Sequence, residues 1–146
     1  MNSKEILIEN IRNNYDIHSI RDLAKKVNLS PSILLNWSSG RSSPSLIQLD
    51  HIAFILNIST PLLIKRNINI TIETPIWKEG VRQVFIENIS RLKREYGFEE
   101  TEGLSYRNLL LYASGSRKNI NTVILDRIAS VYKMETYKLL ESERMK

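Results

Sequence analysis

The chain of 146 residues contains no cysteine and no long apolar run. The missing thiols exclude disulfides, thiolate zinc sites and thiol nucleophiles, and they fit the reducing conditions of a cytoplasm. No apolar stretch approaches the ~20 residues that a membrane-spanning helix needs, and the N-terminus lacks the basic and apolar regions of a signal peptide. We therefore expect a cytoplasmic protein without a membrane partner.

Groups that commonly carry catalysis or bind metals are also scarce. Histidine occurs only at His18 and His51, and each is expected to be a capping or surface residue. Neither belongs to a spaced cluster of histidines and carboxylates of the kind that binds zinc, and no phosphate-binding glycine loop or nucleophile triad occurs. We expect no metal, no cofactor and no enzymatic activity.

The chain has a small excess of positive charge. Its 21 lysines and arginines outnumber its 16 aspartates and glutamates, which gives a formal net charge of +5. Such an excess favours an anionic partner such as nucleic acid. A soluble protein that is simply basic remains the alternative interpretation.

A single pattern of residues occurs twice along the chain. Trp37 lies three positions before Gly40, as Tyr112 lies before Gly115, and residues 8–11 recur as residues 86–89. A repeat of this regularity predicts one structural unit in two copies. Further downstream, Leu49, Asp50, Ile52, Ala53, Ile58 and Leu63 recur as Leu125, Asp126, Ile128, Ala129, Met134 and Leu139.

The first half, residues 1–66, carries start and stop signals for five helices. Ser19 with Asp22, and Ser45 with Gln48, have the spacing of capping boxes. Asn28 tolerates the left-handed geometry that a tight turn needs. The other signals are Ser30 and Pro31 at the start of the third helix, Gly40 at its end, and Thr60 and Pro61 at the start of the fifth.

Residues 75–146 are predicted to repeat this plan in a more divergent form. Thr74 and Pro75 would open a long first helix, a second helix around residues 98–102 looks truncated, and Gly103 takes the place of Asn28. Trp37 and Trp77 have the spacing of core residues, which favours packing over base stacking. The predicted fold class is therefore all-α, with two tandem five-helix units.

An extended linker, residues 67–74, is predicted between the two units. Ile68, Ile70 and Ile72 alternate with polar residues, which is the period of a half-buried strand. The segment could be pressed onto one of the units, or it could pair with the same segment of a second chain.

Each half resembles the five-helix helix-turn-helix domain of the Cro and lambda-repressor type, also called the xenobiotic-response-element family. Residues 19–37 match the helix-turn-helix stretch of that family, and Gly40, Pro44, Ser45 and Leu46 match the signature that follows it. The resemblance covers about 60 residues of each half. It implies a sequence-specific regulator of transcription, a repressor of bacterial or phage type, that binds double-stranded DNA, commonly as a dimer.

The resemblance also implies which side chains would contact DNA. The third helix of each unit would lie in the major groove, where each base pair shows a distinct pattern of donors and acceptors. In the first unit, bases would be contacted by Pro31, Ser32, Ile33 and Asn36, and the phosphate backbone by Ser19, Arg41, Ser42 and Ser43. In the second unit, the corresponding residues would be Tyr106, Arg107 and Asn108 for bases and Arg117, Lys118 and Asn119 for phosphates.

Several residues depart from the family pattern and support a different hypothesis. Ile33, Leu35, Leu110 and Leu111 are apolar at positions that should face the groove. Apolar residues on an exposed face often mark a surface that binds another protein. The alternative function is therefore a protein-binding module, such as an antitoxin, an anti-repressor or an inhibitor of a nucleic-acid enzyme, or a homodimer formed through these leucines or the linker.

The two units are expected to contribute unequally to DNA contact. The first has the better-formed helix-turn-helix, whereas the second has the richer polar side chains, above all Arg107. Glu99, Glu100 and Glu102 would lie near the place of a phosphate in the second unit and would repel it. Arg107 nevertheless suits guanine, so we expect Arg107→Ala to weaken specific binding more than Asn36→Ala.

Overall fold

The computed structural model describes residues 1–70 and 80–142, and this part of the chain is helical without any strand. The predicted all-α class is therefore confirmed. The described α-helices are α1 (Ser3–Tyr15), α2 (Ile20–Val27), α3 (Pro31–Ser39), α4 (Leu46–Leu56), α5 (Arg82–Tyr96), α6 (Tyr106–Ala113) and α7 (Thr122–Val131). Two short 3-10 helices, Thr60–Ile64 and Thr136–Leu140, follow α4 and α7.

Helix boundaries in the first half follow the local signals of the sequence. The Ser45 hydroxyl accepts from the backbone N–H of Gln48 at 3.1 Å, and the Gln48 side chain bonds back to Ser45 N at 3.0 Å, so this capping box is complete. Ser19 caps α2 through Asp22 N at 3.1 Å, without the reciprocal bond from the Asp22 carboxylate. Asn28 ends α2 in the left-handed region with φ of 54°.

One predicted cap in this half is wrong. The side chain of Ser30 makes no bond to the start of α3, and its hydroxyl lies 3.1 Å from the hydroxyl of Ser32 instead. Pro31 at the first helical position removes one unpaired N–H, and its fixed φ favours a helix start. The helix therefore begins where predicted, without a side-chain cap.

The second half departs from the prediction of five helices. Thr74 and Pro75 lie outside the described residues, and α5 begins only at Arg82, after the non-helical Gly80 and Val81. Residues 97–105 contain no helix at all. In the described part of this half, three α-helices and one 3-10 helix therefore stand where five helices were expected.

A tight turn replaces the missing second helix. Thr101 and Leu104 exchange two backbone hydrogen bonds, of 3.3 and 3.1 Å, and Gly103 between them has a φ of 84°. Phe98 and Leu104 are the only large apolar residues of residues 97–105. Because two apolar residues cannot form the inward face that a helix needs for packing, this segment remains a turn.

Matching side chains nevertheless hold the two halves in the same way. The Asn10 amide donates to the carbonyls of Leu63 and Lys65 at 3.0 and 2.8 Å. The Asn88 amide donates in the same manner to the carbonyls of Leu139 and Glu141, at 2.9 and 3.1 Å. Each asparagine thereby ties the first helix of its half to the 3-10 helix that ends it.

The beginning of the linker lies against the first half. The Asn14 side chain donates to the carbonyl of Ile68 at 3.1 Å and accepts from the N–H of Ile70 at 2.7 Å. Ile68 and Ile70 are half-buried against the core, and Asn69 between them is exposed. Residues 67–70 thus have the alternation of the sequence prediction, while Ile72, Trp77 and the rest of residues 71–79 lie outside the described residues.

The two halves meet at an isolated antiparallel bridge between Ser45 and Asn121. Leu46 N donates to the carbonyl of Ile120 at 2.8 Å, and Thr122 N donates to the carbonyl of Pro44 at 2.9 Å. The bridge lies at the N-terminal ends of α4 and α7. The buried apolar residues of both halves form one continuous core around it.

Two aspartates at matching positions extend this contact between the halves. The Asp126 carboxylate accepts from the N–H of Ser3 at 3.0 Å and from its hydroxyl, both at the start of α1. The Asp50 carboxylate accepts from Val81 N, just before α5, at 3.3 Å. A carboxylate at a helix N-terminus is favoured by the helix dipole, so each half stabilises the first helix of the other.

Candidate nucleic-acid interface

Helix α3 is fixed on α2 by apolar contacts that leave one of its faces outward. Leu23, Ala24 and Val27 of α2, and Leu34 and Trp37 of α3, are all buried. The chain reverses between the helices at the left-handed Asn28, whose neighbour Leu29 donates its N–H to the carbonyl of Ala24 at 3.0 Å. This arrangement presents the outward face of a short helix on a rigid support.

The outward face of α3 carries three of the residues predicted to face DNA. Pro31 and Ser32 are exposed, and Asn36 is half-buried with no hydrogen-bond partner for its amide among the described residues. Ile33 is half-buried and packs against the core, which favours the packing role over base contact. The Asn36 amide is therefore the free hydrogen-bonding group with the most defined position on this helix.

The loop after α3 is fixed by its own backbone. The N–H groups of Arg41 and Ser42 donate to the carbonyl of Asn36 at 3.0 and 3.2 Å, which closes the C-terminus of the helix behind the left-handed Gly40. Because these two N–H groups are occupied, Arg41 and Ser42 could contact a phosphate only through their side chains. Arg41 and Ser42 are exposed and Ser43 is half-buried, and no partner holds the Arg41 guanidinium in the described part of the chain.

Ser19, the remaining predicted phosphate contact of the first half, lies exposed at the start of α2. Its hydroxyl oxygen accepts the N–H of Asp22, and its own proton stays available as a donor. The first backbone N–H groups of α2 are unpaired within the helix, as at any helix start.

Helix α6 has more charge on its outward side than α3. Arg107 is exposed without a partner in the described residues, and Asn108 accepts through Oδ1 from Nη2 of Arg117 at 3.1 Å. This bond joins a predicted base contact to a predicted phosphate contact, so the Arg117 guanidinium is held against the side chain of Asn108 on the helix. Lys118 and Asn119 are exposed in the same loop.

The start of α6 is occupied by a carboxylate. Glu100 accepts the N–H of Tyr106 at 2.9 Å, and the Tyr106 ring lies 6.0 Å from the ring of Phe98. The glutamate predicted to disfavour a phosphate thus lies at the N-terminus of the helix that carries Arg107. Tyr106 is 45% exposed, so its outer surface remains accessible.

Two functional supports escaped the sequence reasoning. The Lys4 ammonium donates to the carbonyl of Trp37 at 2.8 Å, at the end of α3, and the Arg82 guanidinium donates to the carbonyl of Gly115, just after α6. A cation at a helix C-terminus stabilises the last unpaired carbonyls and the helix dipole. Lys4 and Arg82 occupy matching positions of the repeat, and this correspondence is the sequence signal that could have identified them.

Two of the apolar residues that depart from the family pattern are exposed. Leu35 is 53% exposed on α3, and Leu110, at the matching position of α6, is 37% exposed. Leu111 and Ile33 are half-buried. Helices α3 and α6 therefore both present a leucine to solvent at the matching position of the repeat.

The histidines have the roles that the sequence suggested. Nε2 of His51 donates to the carbonyl of Val27 at 3.1 Å and thereby caps the C-terminus of α2. His18 is exposed, and its Nε2 lies within hydrogen-bond distance, 3.0 Å, of Oδ1 of Asp16. Residues 1–70 and 80–142 contain no cluster of side chains that could hold a metal ion.

In the same two segments, no helix is both long enough and apolar enough to cross a membrane. Comparison of the chain with models of protein families, with curated proteins and with solved structures finds no match.

Proposed function

We propose that the chain is a sequence-specific double-stranded DNA-binding protein, a regulator of the Cro and lambda-repressor type with two tandem helix-turn-helix units. One observation carries the proposal: α3 and α6, at matching positions of the repeat, both present polar side chains outward, Ser32 and Asn36 on α3 and Arg107 on α6. We call α3 and α6 the recognition helices. Each is supported from behind by buried residues and at its C-terminus by a cation, Lys4 or Arg82.

The chemistry of these side chains fits the major groove. An asparagine amide at the position of Asn36 can bond the N6 and N7 edge of adenine, and the Arg107 guanidinium can bond O6 and N7 of guanine. Ser32 can donate to either base. Around them, Arg41, Arg117 and Lys118 supply the positive charge that holds a protein to phosphates without reading sequence.

The test is selection of DNA from a random duplex pool by the purified chain, followed by affinity measurements over a salt series. We expect enrichment of one sequence and a steep loss of affinity as salt rises, by about 0.9 in the logarithmic slope for each phosphate contact. Binding to the enriched duplex no tighter than to random DNA, at both low and moderate salt, would overturn the proposal.

A matched pair of arginine variants separates base contact from general charge. Arg107→Ala removes a candidate guanine contact, and we expect it to weaken specific binding about 5- to 150-fold. Arg91→Ala removes the same charge from an exposed site on α5, roughly 140° around that helix from Ile86, which contacts the loop after α6. It should change affinity little.

The ranking of the two recognition helices can be measured in the same assay. Because one guanidinium supplies two donors and a charge, Arg107→Ala should weaken specific binding more than Asn36→Ala. If the ranking is reversed, or neither substitution matters, the second half is better interpreted as a dimerisation or partner-binding domain.

The exposed leucines favour a second candidate function, a protein-binding module. Leu35 and Leu110 place apolar surface on the same side of both recognition helices, where a DNA reader would be expected to carry polar groups. The double variant Leu35→Gln/Leu110→Gln distinguishes the functions. Under the DNA proposal it still selects DNA, whereas under the protein-binding function the parent chain selects no DNA and the variant loses its protein partner.

A further inference from the structure

The contacts between the two halves are reciprocal. In the Ser45–Asn121 bridge, the residue after each partner donates its N–H to the carbonyl before the other partner. A half-turn about an axis through the bridge exchanges the two bonds. This is the rule of a twofold interface, in which one patch contacts its own copy, here with both copies in one chain.

The aspartates obey the same rule. Asp126 reaches the start of α1 and also accepts from Thr136 of its own half at 2.8 Å. Asp50 reaches Val81 at the start of α5 and accepts from Thr60 of its own half at 2.7 Å. Bridge and aspartates therefore relate the halves by one approximate twofold axis.

This axis determines the relative positions and directions of the two recognition helices. A half-turn changes no atom's height along the axis, so α3 and α6 lie at equal heights on opposite sides of it. The outward faces of the two helices therefore point in the same direction along the axis and in opposite directions perpendicular to it. Both helices are joined directly to the axis, since the chain runs from Ser39 to Ser45 and from Ala113 to Asn121 without another helix.

The length of these connections sets the possible separation. Six residues from Ser39 to Ser45 span at most roughly 20 Å, and eight from Ala113 to Asn121 at most roughly 28 Å. With the roughly 5 Å between the paired residues of the bridge added, the ends of the recognition helices are at most about 53 Å apart. One helical turn of B-DNA separates half-sites by about 34 Å, which lies within this limit.

Matching positions on the two helices carry different side chains. Ser32 of α3 corresponds to Arg107 of α6, Ile33 corresponds to Asn108, and Asn36 to Leu111. The twofold relation of the backbone is therefore not a relation of chemistry. A symmetric DNA sequence cannot satisfy both helices equally well.

We propose that one chain, as a monomer, binds one DNA site composed of two inverted and unequal half-sites about one turn apart. The half-site at α3 is read by Ser32 and Asn36 and favours adenine. The half-site at α6 is read by Arg107 and Asn108 and favours guanine. This inference rests on the proposed function and specifies its DNA target. A homodimer of identical units would instead bind a symmetric operator.

The experiment is selection by the full chain from a pool of random 30-bp duplexes, followed by the mass of the complex from native mass spectrometry. We expect two short, non-identical elements in opposite orientation, about 10 bp apart between centres, with one chain per duplex. Inserting 5 bp between them turns one element to the opposite face of the helix. The insertion should reduce affinity as much as deleting that element.

Three variants assign the elements to the helices. Selection by Arg107→Ala should relax one element alone, and selection by Asn36→Ala should relax the other alone. Arg91→Ala, the matched charge control on α5, should leave both elements unchanged.

The possible failures are distinct. A single element, a direct repeat, or two chains on an inverted site would overturn this inference and leave DNA-binding function standing. A pair of variants that relaxes the same element would overturn it as well. If the pool yields no enriched sequence at all, the proposed function itself fails.

Discussion

Replacing Asp126 by alanine tests the contact that orders the two halves. The carboxylate accepts from Ser3 N, from the Ser3 hydroxyl and from Thr136 Oγ1. Hydrogen bonds to a charged group contribute about 1.5–3 kcal/mol each, and they are not additive when they share one acceptor. Ser3 is only 1% exposed, so its donors would lose their partner without regaining water. We expect Asp126→Ala to reduce the free energy of unfolding by about 3 kcal/mol.

The assay is urea unfolding, with the midpoint and slope determined for each variant. Asp50→Ala is the matched control, because Asp50 occupies the same position in the other half and holds its helix start by one longer bond of 3.3 Å. Burial raises the pKa of Asp50, against the opposing hydrogen bonds of Thr60 and Val81. Since its charged form is costly, Asp50→Ala should lose less, about 1–2 kcal/mol.

A double-mutant cycle isolates the contact itself. If Asp126 acts through Ser3, the loss in Ser3→Ala/Asp126→Ala should fall short of the sum of the single losses by about 1 kcal/mol. A loss below about 1 kcal/mol for Asp126→Ala, or strict additivity of the two substitutions, would refute the reasoning. The contact between Asp126 and Ser3 would then contribute little to the free energy of unfolding.

The remaining predictions concern pH, a turn and the charge at α6. Because burial raises the folded-state pKa of Asp50, its contribution to stability is greatest below the unfolded pKa of about 3.9 and falls as pH rises through the raised value. In urea unfolding, the stability of the parent relative to Asp50→Asn should therefore fall between about pH 3 and pH 7. Gly103→Ala should destabilise the chain by about 1 kcal/mol, because its φ of 84° is unfavourable for alanine and the end of the Arg127 side chain, 2.9 Å from the added Cβ, would also have to move. Calorimetry checks this against Gly40→Ala, which has a similar φ of 80° but no atom within 4 Å of the added Cβ, so the difference between the two measures the displacement of Arg127. Under the DNA proposal, Glu100→Gln should raise affinity at low salt, and the gain should shrink at high salt; an unchanged affinity at both would contradict it.

Local signals predicted the elements that local chemistry determines. Ser45 with Gln48, Asn28 and Pro31 each act on backbone groups within a few residues, so their effect can be derived from the sequence. The missing helix at residues 97–105 follows from the absence of an apolar face, but the repeat suggested a shortened helix there. Similarity to the first half was in this case a poorer guide than the apolar content of the segment itself.

The contacts between the halves could not be predicted in this way. Asp50 and Asp126 were recognised as a repeated pair, yet nothing in their local sequence indicates that each reaches the other half. Those bonds join residues far apart in the chain, so no local pattern of residues encodes them. Likewise, Lys4 and Arg82 matched in position without revealing that they hold the ends of α3 and α6.

Because the second half lacks a second helix, the two halves would contact DNA differently under the proposed function. In the first half, the start of α2 offers N–H groups beside Ser19 that suit a phosphate. The second half has no such helix, and Glu100 places a carboxylate at the start of α6 instead. Under the proposed function, the second half therefore has the stronger base reader and the weaker hold on the backbone. The Ser45–Asn121 bridge and the two aspartates compensate for this weaker hold, because they attach the half that carries Arg107 to the first half, which can bind phosphate.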